Sequence, residues 1–388
     1  MRLVLLLALA GLPAAAQYDI LIRNARVIDG TGNPWFHASV AVKDGRIAAV
    51  GRLDGATAAR VIDAAGRVVT PGFIDVHTHV EGAIEKVPRA DNYLLDGVTT
   101  IVTGNCGGSA PDVARWFARL EELGVGVNVA TLIGHNTVRR QVMGTENRHA
   151  TPEELARMKE LVHAAMAQGA VGLSTGLIYI PGAYAPTEEV VELAKSAAVY
   201  NGVYASHMRD EGAQILEAIH EAARVGEQAG MPVQISHFKI DTPRIWGFSE
   251  KSIALVEDYR RRGVDVVVDQ YPYDHSSTNL GITLPAWALA GGTQALRERL
   301  SSQETRARII AEMKQRLQDL GHPDYSYAIV AYFEKDHSWE GKNLVEITRL
   351  RGLEPSLDNQ IETIFHILLN GGAQMIYHSM SDIDIERI

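Results

Sequence analysis

The 388-residue chain is poor in cysteine: Cys106 is its single thiol. One cysteine excludes an internal disulfide, so the thiol is either buried or has another task. An excess of positive charge is also lacking, since 37 Lys and Arg face 47 Asp and Glu for a formal charge of −10. That balance leaves no electrostatic footprint for nucleic acid or an anionic membrane, and an anionic substrate must be captured by particular cations. Long apolar runs are absent beyond the first residues. The opening Met1-Arg2-Leu3-Val4-Leu5-Leu6-Leu7-Ala8-Leu9-Ala10 carries one cation and a short apolar stretch, and Ala14-Ala15-Ala16 follows. The run is shorter than the ~20 residues that span a bilayer. It has the form of a secretory signal peptide over residues 1–16, cut after Ala16, which implies an exported, periplasmic or extracellular protein with no membrane span after cleavage.

What is present falls into two rhythms. Residues 17–68 alternate short apolar runs with Gly/Asp turns, as in Ile20-Leu21-Ile22-Arg23, Arg26-Val27-Ile28-Asp29-Gly30, Ser39-Val40-Ala41-Val42 and Arg46-Ile47-Ala48-Ala49-Val50-Gly51. They predict a small β domain, a meander of antiparallel strands. From residue 69 apolar strands recur between helical stretches, near 69–77, 98–104, 127–135, 170–176, 202–207, 232–238 and 264–271. Thr151-Pro152-Glu153-Glu154 and Thr187-Glu188-Glu189 have the form of helix starts. Repeated strand–helix units imply a parallel sheet, and seven in a row favour a (β/α)₈ barrel over residues 69–284. A doubly wound sheet is the alternative, but it needs a nucleotide-type glycine loop after the first strand, and none is there. The rhythm stops past Leu280. Residues 285–370 read as an insertion with charged helices and a strand at Tyr325–Tyr332, and 371–388 as a return to the barrel.

The first barrel strand ends in Gly72-Phe73-Ile74-Asp75-Val76-His77-Thr78-His79. Strand side chains alternate faces, so His77 and His79 point the same way, toward the mouth where a barrel gathers its site. Alone, the pair is equally readable as two histidines in a polar turn. Cys106 follows the second strand in Gly104-Asn105-Cys106-Gly107-Gly108, His207 closes the fifth and His237 the sixth. Five nitrogen and sulfur donors on one rim suit one or two zinc ions better than Mg²⁺ or Ca²⁺, which take oxygen. As a ligand Cys106 is a thiolate, able to bridge two metals; as a structural residue it is a small buried hydrophobe. Lys239 faces the same mouth two residues after His237. It can hold a carboxylate as a point charge, or be a solvated surface lysine. Tyr271 and Tyr273 are open to a core role.

These segments resemble the amidohydrolase superfamily: Leu21 to Gly30, the Pro71-Gly72-Phe73-Ile74-Asp75-x-His77-x-His79 strand, and the two later histidines. Gly104-Asn105-Cys106-Gly107, Gly134-His135-x-Thr137-Val138-Arg139, Leu173-Ser174-Thr175-Gly176-Leu177 and Asp269-x-Tyr271-Pro272-Tyr273 resemble its N-acyl-D-amino-acid deacylase (D-aminoacylase) branch. The resemblance implies a metal-dependent (β/α)₈ barrel with a small N-terminal β-sandwich. It implies metal ligation by His77, His79, Cys106, His207 and His237, and substrate contacts from Tyr179, Lys239, Tyr271 and Ser277. The reaction it implies is zinc-dependent hydrolysis of N-acyl-D-amino acids to a carboxylic acid and a free D-amino acid. Zinc supplies an activated water and polarises the carbonyl. Other readings are a dipeptidase or cyclic-imide hydrolase, or a non-catalytic metal-binding barrel.

The chain departs from the branch at Glu81, where aspartate is common, at Gly108, where a larger residue is usual, and at Asn136, which replaces a glycine. The branch's general-base aspartate lies in an eighth-strand Ser-Asp-Gly motif, expected after Ile388. Asp382 and Asp384 lie upstream of that strand, so neither is that base. The expectation is therefore a barrel truncated before its eighth strand, a small β domain without its C-terminal part, and a 388-residue chain that is itself inactive.

Overall fold

The computed structural model describes residues 17–388; the signal-peptide expectation, residues 1–16, lies outside them. The described chain divides into two units at Phe73/Ile74.

The first unit is one five-stranded sheet. Its strands are β1 (Tyr18–Val27), β2 (Phe36–Lys43), β3 (Arg46–Gly51), β4 (Ala58–Asp63) and the short β5 (Val68–Val69). The pattern predicts separate strands at 20–23 and 26–30, but one long strand forms. Its register shifts between Ile22 and Ala25, where Asn24 takes a left-handed φ of 55° and absorbs the extra residue as a bulge. The sequence also predicts an antiparallel meander and a sandwich. β1–β2 and β2–β3 are antiparallel, but β4 and β5 both run parallel to β1. The chain leaves β3 at one edge and returns on the far side of β1, so β4 arrives in β1's own direction. Leu21 and Ala41 pack on one face with Ala56, and Ala25, Val27 and Val40 on the other with Ala64, so each face of the single sheet keeps a small core of its own.

The second unit holds the strand–helix repeats, at the places the sequence predicts. β6 (Phe73–Asp75), β7 (Val98–Thr103) and β8 (Asn128–Thr131) form one sheet. β9 (Ile133–Gly134), β10 (Gly172–Gly176), β11 (Val203–His207), β12 (Val233–Ile235) and β13 (Val266–Val268) form a second, all parallel. β8 and β9 are one strand broken at Leu132, whose N–H still bonds Thr103 O at 2.8 Å. The result is an α/β domain with the sheets of a partial barrel. Helices bury one face against it; Thr151 and Glu154 cap helix Pro152–Ala167 reciprocally, and Val190, Leu193, Ala194 and Ala197 of helix Thr187–Ala198 are buried. Because the strands run parallel, their C-terminal ends share one rim.

The insertion has its own core, reaching from Leu280 to Tyr377 and so beyond the predicted 285–370. β14 (His275–Asn279), β15 (Ala328–Tyr332) and β16 (Gln374–His378) form its antiparallel sheet, with β16 in the centre. Residues 374–378, predicted as part of the return to the barrel, therefore belong to this sheet: Met375 and Tyr377 alternate inward and pack with the insertion helices.

Asp384 is buried and caps helix Ser249–Arg261. Its carboxylate accepts from Gly247 N at 2.7 Å, Ser249 N at 3.1 Å and Ser381 Oγ at 2.6 Å. Burial alone would raise its pKa, but these bonds outweigh it and hold it below the usual carboxylate range. Replacing Asp384 with alanine is expected to cost about 2 kcal/mol, since a lost cap costs about 1 and hydrogen bonds to a charge about 1.5–3. The depressed pKa means the contribution is present above the unfolded value and lost as pH falls through the folded one. Urea denaturation of both proteins at neutral and acidic pH checks this: a wild-type advantage that does not shrink on acidification would refute it.

Candidate metal centre

The rim gathers the predicted donors. β6 ends two residues before His77, β7 three before Cys106, and β12 two before His237, while His207 is the last residue of β11. Cys106 Sγ lies 3.3 Å from His77 Nε2 and 3.5 Å from His237 Nε2. The His207 ring packs edge-on to that of His237 at 4.4 Å between centroids, and the His79 ring lies 5.3 Å from His77. Two three-donor groups result, His77–His79–Cys106 and Cys106–His207–His237, with ligand atoms within 4.8 Å of one another in each. Cys106 is common to both.

Local backbone explains the convergence. Cys106 and His237 both take left-handed φ values, 52° and 37°, which side-chain-bearing residues adopt at a cost of about 1–3 kcal/mol. The glycines around Cys106 let its loop lie directly on neighbouring backbone. A Cβ on Gly104 would stand 2.2 Å from Leu132 O, and one on Gly107 would stand 2.3 Å from Asn136 Oδ1. Asn136 in turn donates to Gly176 O at 3.2 Å and Tyr179 O at 3.1 Å, fixing the turn that carries Tyr179. Glu81 is a strut: its carboxylate accepts from Thr103 Oγ1 at 2.7 Å and Gly104 N at 2.6 Å, tying the His-x-His turn to the Cys106 loop.

Two carboxylates not assigned from sequence complete the site. Asp269, just past β13, accepts from His77 Nδ1 at 3.0 Å, His237 N at 2.7 Å and Gln234 Nε2 at 2.5 Å. Burial would raise its pKa, yet the bond from His77 prevails and the value is lowered. Glu211 lies 2.8 Å from His237 Nδ1 and 2.7 Å from Lys239 Nζ. The signal for Asp269 was its place at a strand end in a quoted motif; Glu211, four residues past His207 in a loop, carried none.

The remaining predicted residues share the cleft. Its volume is about 630 Å³, and every predicted site residue except Cys106 lines it. Lys239 is 4% exposed, which removes the surface-lysine reading. Burial opposes its charge, but Glu211 outweighs burial and its pKa is raised. Its Nζ stands 5.8 Å from the Tyr271 ring, while Tyr273 is 66% exposed and so no core aromatic. Tyr179 OH accepts from Thr278 Oγ1 at 3.0 Å, and Ser277 Oγ donates to Met375 O at 3.1 Å. Of the quoted motifs, Gly134–Arg139 contributes structure. Fully buried His135 and Arg139 both bind Glu189, which locks two barrel helices together.

The donor set fits zinc. Burial lowers the pKa of His207 and His237, so both imidazoles are neutral near pH 7 with lone pairs to offer, and buried His207 Nδ1 has no partner. Burial, reinforced by Glu211, pushes the Cys106 thiol up, so without a cation it stays protonated. Nitrogen and sulfur donors at this spacing select zinc over the hard alkaline-earth ions.

The comparisons agree on a relationship. The model of the Amidohydrolase family matches residues 60–377. The chain is 38% identical over 286 residues to a D-aminoacylase of Alcaligenes xylosoxydans xylosoxydans, covering 68% of this chain and 59% of that one. It is 37% identical to an N-acyl-D-glutamate deacylase of the same organism, with the same coverage. The chain thus spans about 59% of the length of the curated relatives it matches. Among solved structures, a D-aminoacylase superposes with a TM-score of 0.77 at 32% identity, over 96% of this chain and 73% of that one. An N-acyl-D-glutamate deacylase from Bordetella bronchiseptica, solved with zinc and a phosphonate that mimics the tetrahedral intermediate, gives 0.79 at 30% identity, over 95% and 73%.

Zinc titrated near pH 7 is expected to displace the Cys106 proton, because the raised thiol pKa keeps that group protonated beforehand. Calorimetry in two buffers of different ionisation enthalpy counts the released protons. Cys106→Ala should release one fewer and bind less zinc, with an unchanged circular dichroism spectrum; equal release and equal zinc would remove Cys106 from the donor set.

Proposed function

The chain belongs to the amidohydrolase family, and from that premise we propose that its protein hydrolyses the amide bond of N-acyl-D-amino acids with zinc. The single observation that carries the reading is Cys106 as the common member of two three-donor groups, in a cleft that also presents a buried lysine. His77, His79, Cys106, His207 and His237 would hold one or two zinc ions. When bound, the metal supplies an activated water and polarises the scissile carbonyl. Relatives named D-aminoacylase, N-acyl-D-glutamate deacylase and N-acyl-D-aspartate deacylase support the substrate class.

The chain's own residues bind and orient. Lys239, charged and held by Glu211, takes the substrate α-carboxylate, which places the amide beside the donors. Tyr271 stands beside that ammonium, and Tyr179 and Ser277 complete the cleft walls. Asp269 holds His77 by its Nδ1 atom, leaving Nε2 free toward Cys106. An exported location accompanies the reading, supported by the N-terminal pattern of residues 1–16.

The deciding assay is hydrolysis of matched N-acetyl-D- and N-acetyl-L-amino acids by the zinc-loaded protein. Turnover of the D-series is expected, and equal turnover of both series would refute it. A second expectation concerns Lys239→Met. A hydrogen bond to a buried charge contributes ~1.5–3 kcal/mol, so kcat/KM for N-acyl amino acids should fall roughly tenfold to a hundredfold, mainly through KM. N-acyl amines lacking the carboxylate should change far less, and equal losses on both would show that Lys239 does not read that group.

A further inference from the structure

The charges that line the cleft are unequal. Four carboxylates, Asp75, Glu211, Asp241 and Asp269, stand against one ammonium, Lys239, and no arginine lines it. Three of the carboxylates are engaged. Asp269 accepts from His77, His237 and Gln234, Glu211 pairs with Lys239 Nζ at 2.7 Å, and Asp75 accepts from His77 N at 3.1 Å. Asp241 differs. Thr242 Oγ1 donates to its Oδ1 at 2.9 Å, while among the described residues no hydrogen bond or ion pair reaches its Oδ2.

Asp241 is fixed by its surroundings. Its N–H donates to Glu211 O at 3.0 Å. Gly212 lies so close that a Cβ there would stand 2.2 Å from Thr242 Oγ1 and 2.8 Å from Asp241 Oδ1. The half-buried carboxylate lines both the cleft and a cavity of about 60 Å³ that adjoins it through Ile178, Ser276 and Ile282. Arg316 lines that cavity but not the cleft. Burial, reinforced by Glu211, pushes the Asp241 pKa up to about 6, which leaves it ionised at pH 8. A partly desolvated carboxylate with an open oxygen attracts a donor and repels an anion.

We propose that Asp241 is a specificity-determining residue: it makes the cleft select N-acyl-D-amino acids whose side chain ends in a hydrogen-bond donor, an amide or an ammonium, and refuse those whose side chain ends in a carboxylate. The inference rests on the deacylase reading, in which Lys239 takes the α-carboxylate. Lys239 and Asp241 are two residues apart and both line the cleft. An amino acid's side chain leaves the same carbon as its α-carboxylate, so a substrate anchored on Lys239 carries its side chain into the neighbourhood of Asp241. The ammonium is then shared between Glu211 and the α-carboxylate, and a second carboxylate finds no other lysine or arginine on the cleft wall. At an effective dielectric constant of about 20, like charges roughly 5 Å apart repel enough to weaken binding about a hundredfold. The D-glutamate and D-aspartate derivatives named for relatives at 37% and 36% identity are thus the substrates this cleft disfavours.

N-acetyl-D-glutamine and N-acetyl-D-glutamate have nearly one shape and differ in charge, so their ratio isolates the effect. Dissociation constants at pH 8 are measured by calorimetry on the metal-free protein, and kcat/KM on the zinc-loaded protein. Wild type should favour the amide roughly ten- to hundredfold in both. Asp241→Asn should bring the ratio within about threefold of unity, whereas Arg316→Met should leave it as in wild type. A wild-type binding ratio below about threefold, tighter binding of the glutamate derivative, or no binding of the amide overturns the proposal, as does an Asp241→Asn protein that keeps the wild-type ratio. A zinc-loaded protein that turns over no N-acyl-D-amino acid overturns the deacylase reading instead, and the binding arm still decides the role of Asp241.

Discussion

One carboxylate holds three strand ends in a single place. Asp269 accepts from a histidine beyond the first barrel strand, from the backbone beyond the sixth and from the Gln234 side chain within it. Each donor is a polar group that burial would otherwise leave unsatisfied, at a cost of about 1–3 kcal/mol apiece. The donor nitrogens of His77 and His237 face Cys106 because Asp269 fixes one ring by its Nδ1 and the other by its backbone. The geometry of the centre is therefore secured before any metal arrives, by hydrogen bonds that would survive its removal.

A second constraint is steric. The Cys106 loop lies against the backbones of Leu132 and Gly176 and the Asn136 side chain, at separations only glycine permits. Close packing of this kind removes slack: the sulfur cannot drift from its two histidine neighbours without lifting a whole loop from the sheet. The left-handed backbone at Cys106 and His237 is tolerated because so many contacts oppose its relaxation.

Much of this was legible in the sequence, for identifiable reasons. Strand alternation put His77 and His79 on one face, and parallel strand–helix order brought the ends of distant strands to one rim. Cys106 drew attention by being alone. What could not be read was pairing across the chain. Nothing local says that His77 meets Asp269, 192 residues away, or that a loop glutamate leans on His237. The small sheet eluded the pattern similarly: alternating residues mark strands, but the edge to which a strand returns depends on a crossover that periodicity does not encode. Residues 374–378 have the apolar content of a barrel strand, and only their partners assign them to the insertion's sheet.

That sheet divides the cleft's walls by origin. The donors stand on the barrel strands, whereas Ser277 and Thr278 stand on β14, whose sheet packs into the insertion's separate core. In the cleft the two meet where Thr278 Oγ1 donates to Tyr179 OH at 3.0 Å. Part of the cleft wall thus sits on a different inheritable module from the donors. Drift in the insertion's packing can therefore reshape one wall of the cleft without disturbing a single donor atom.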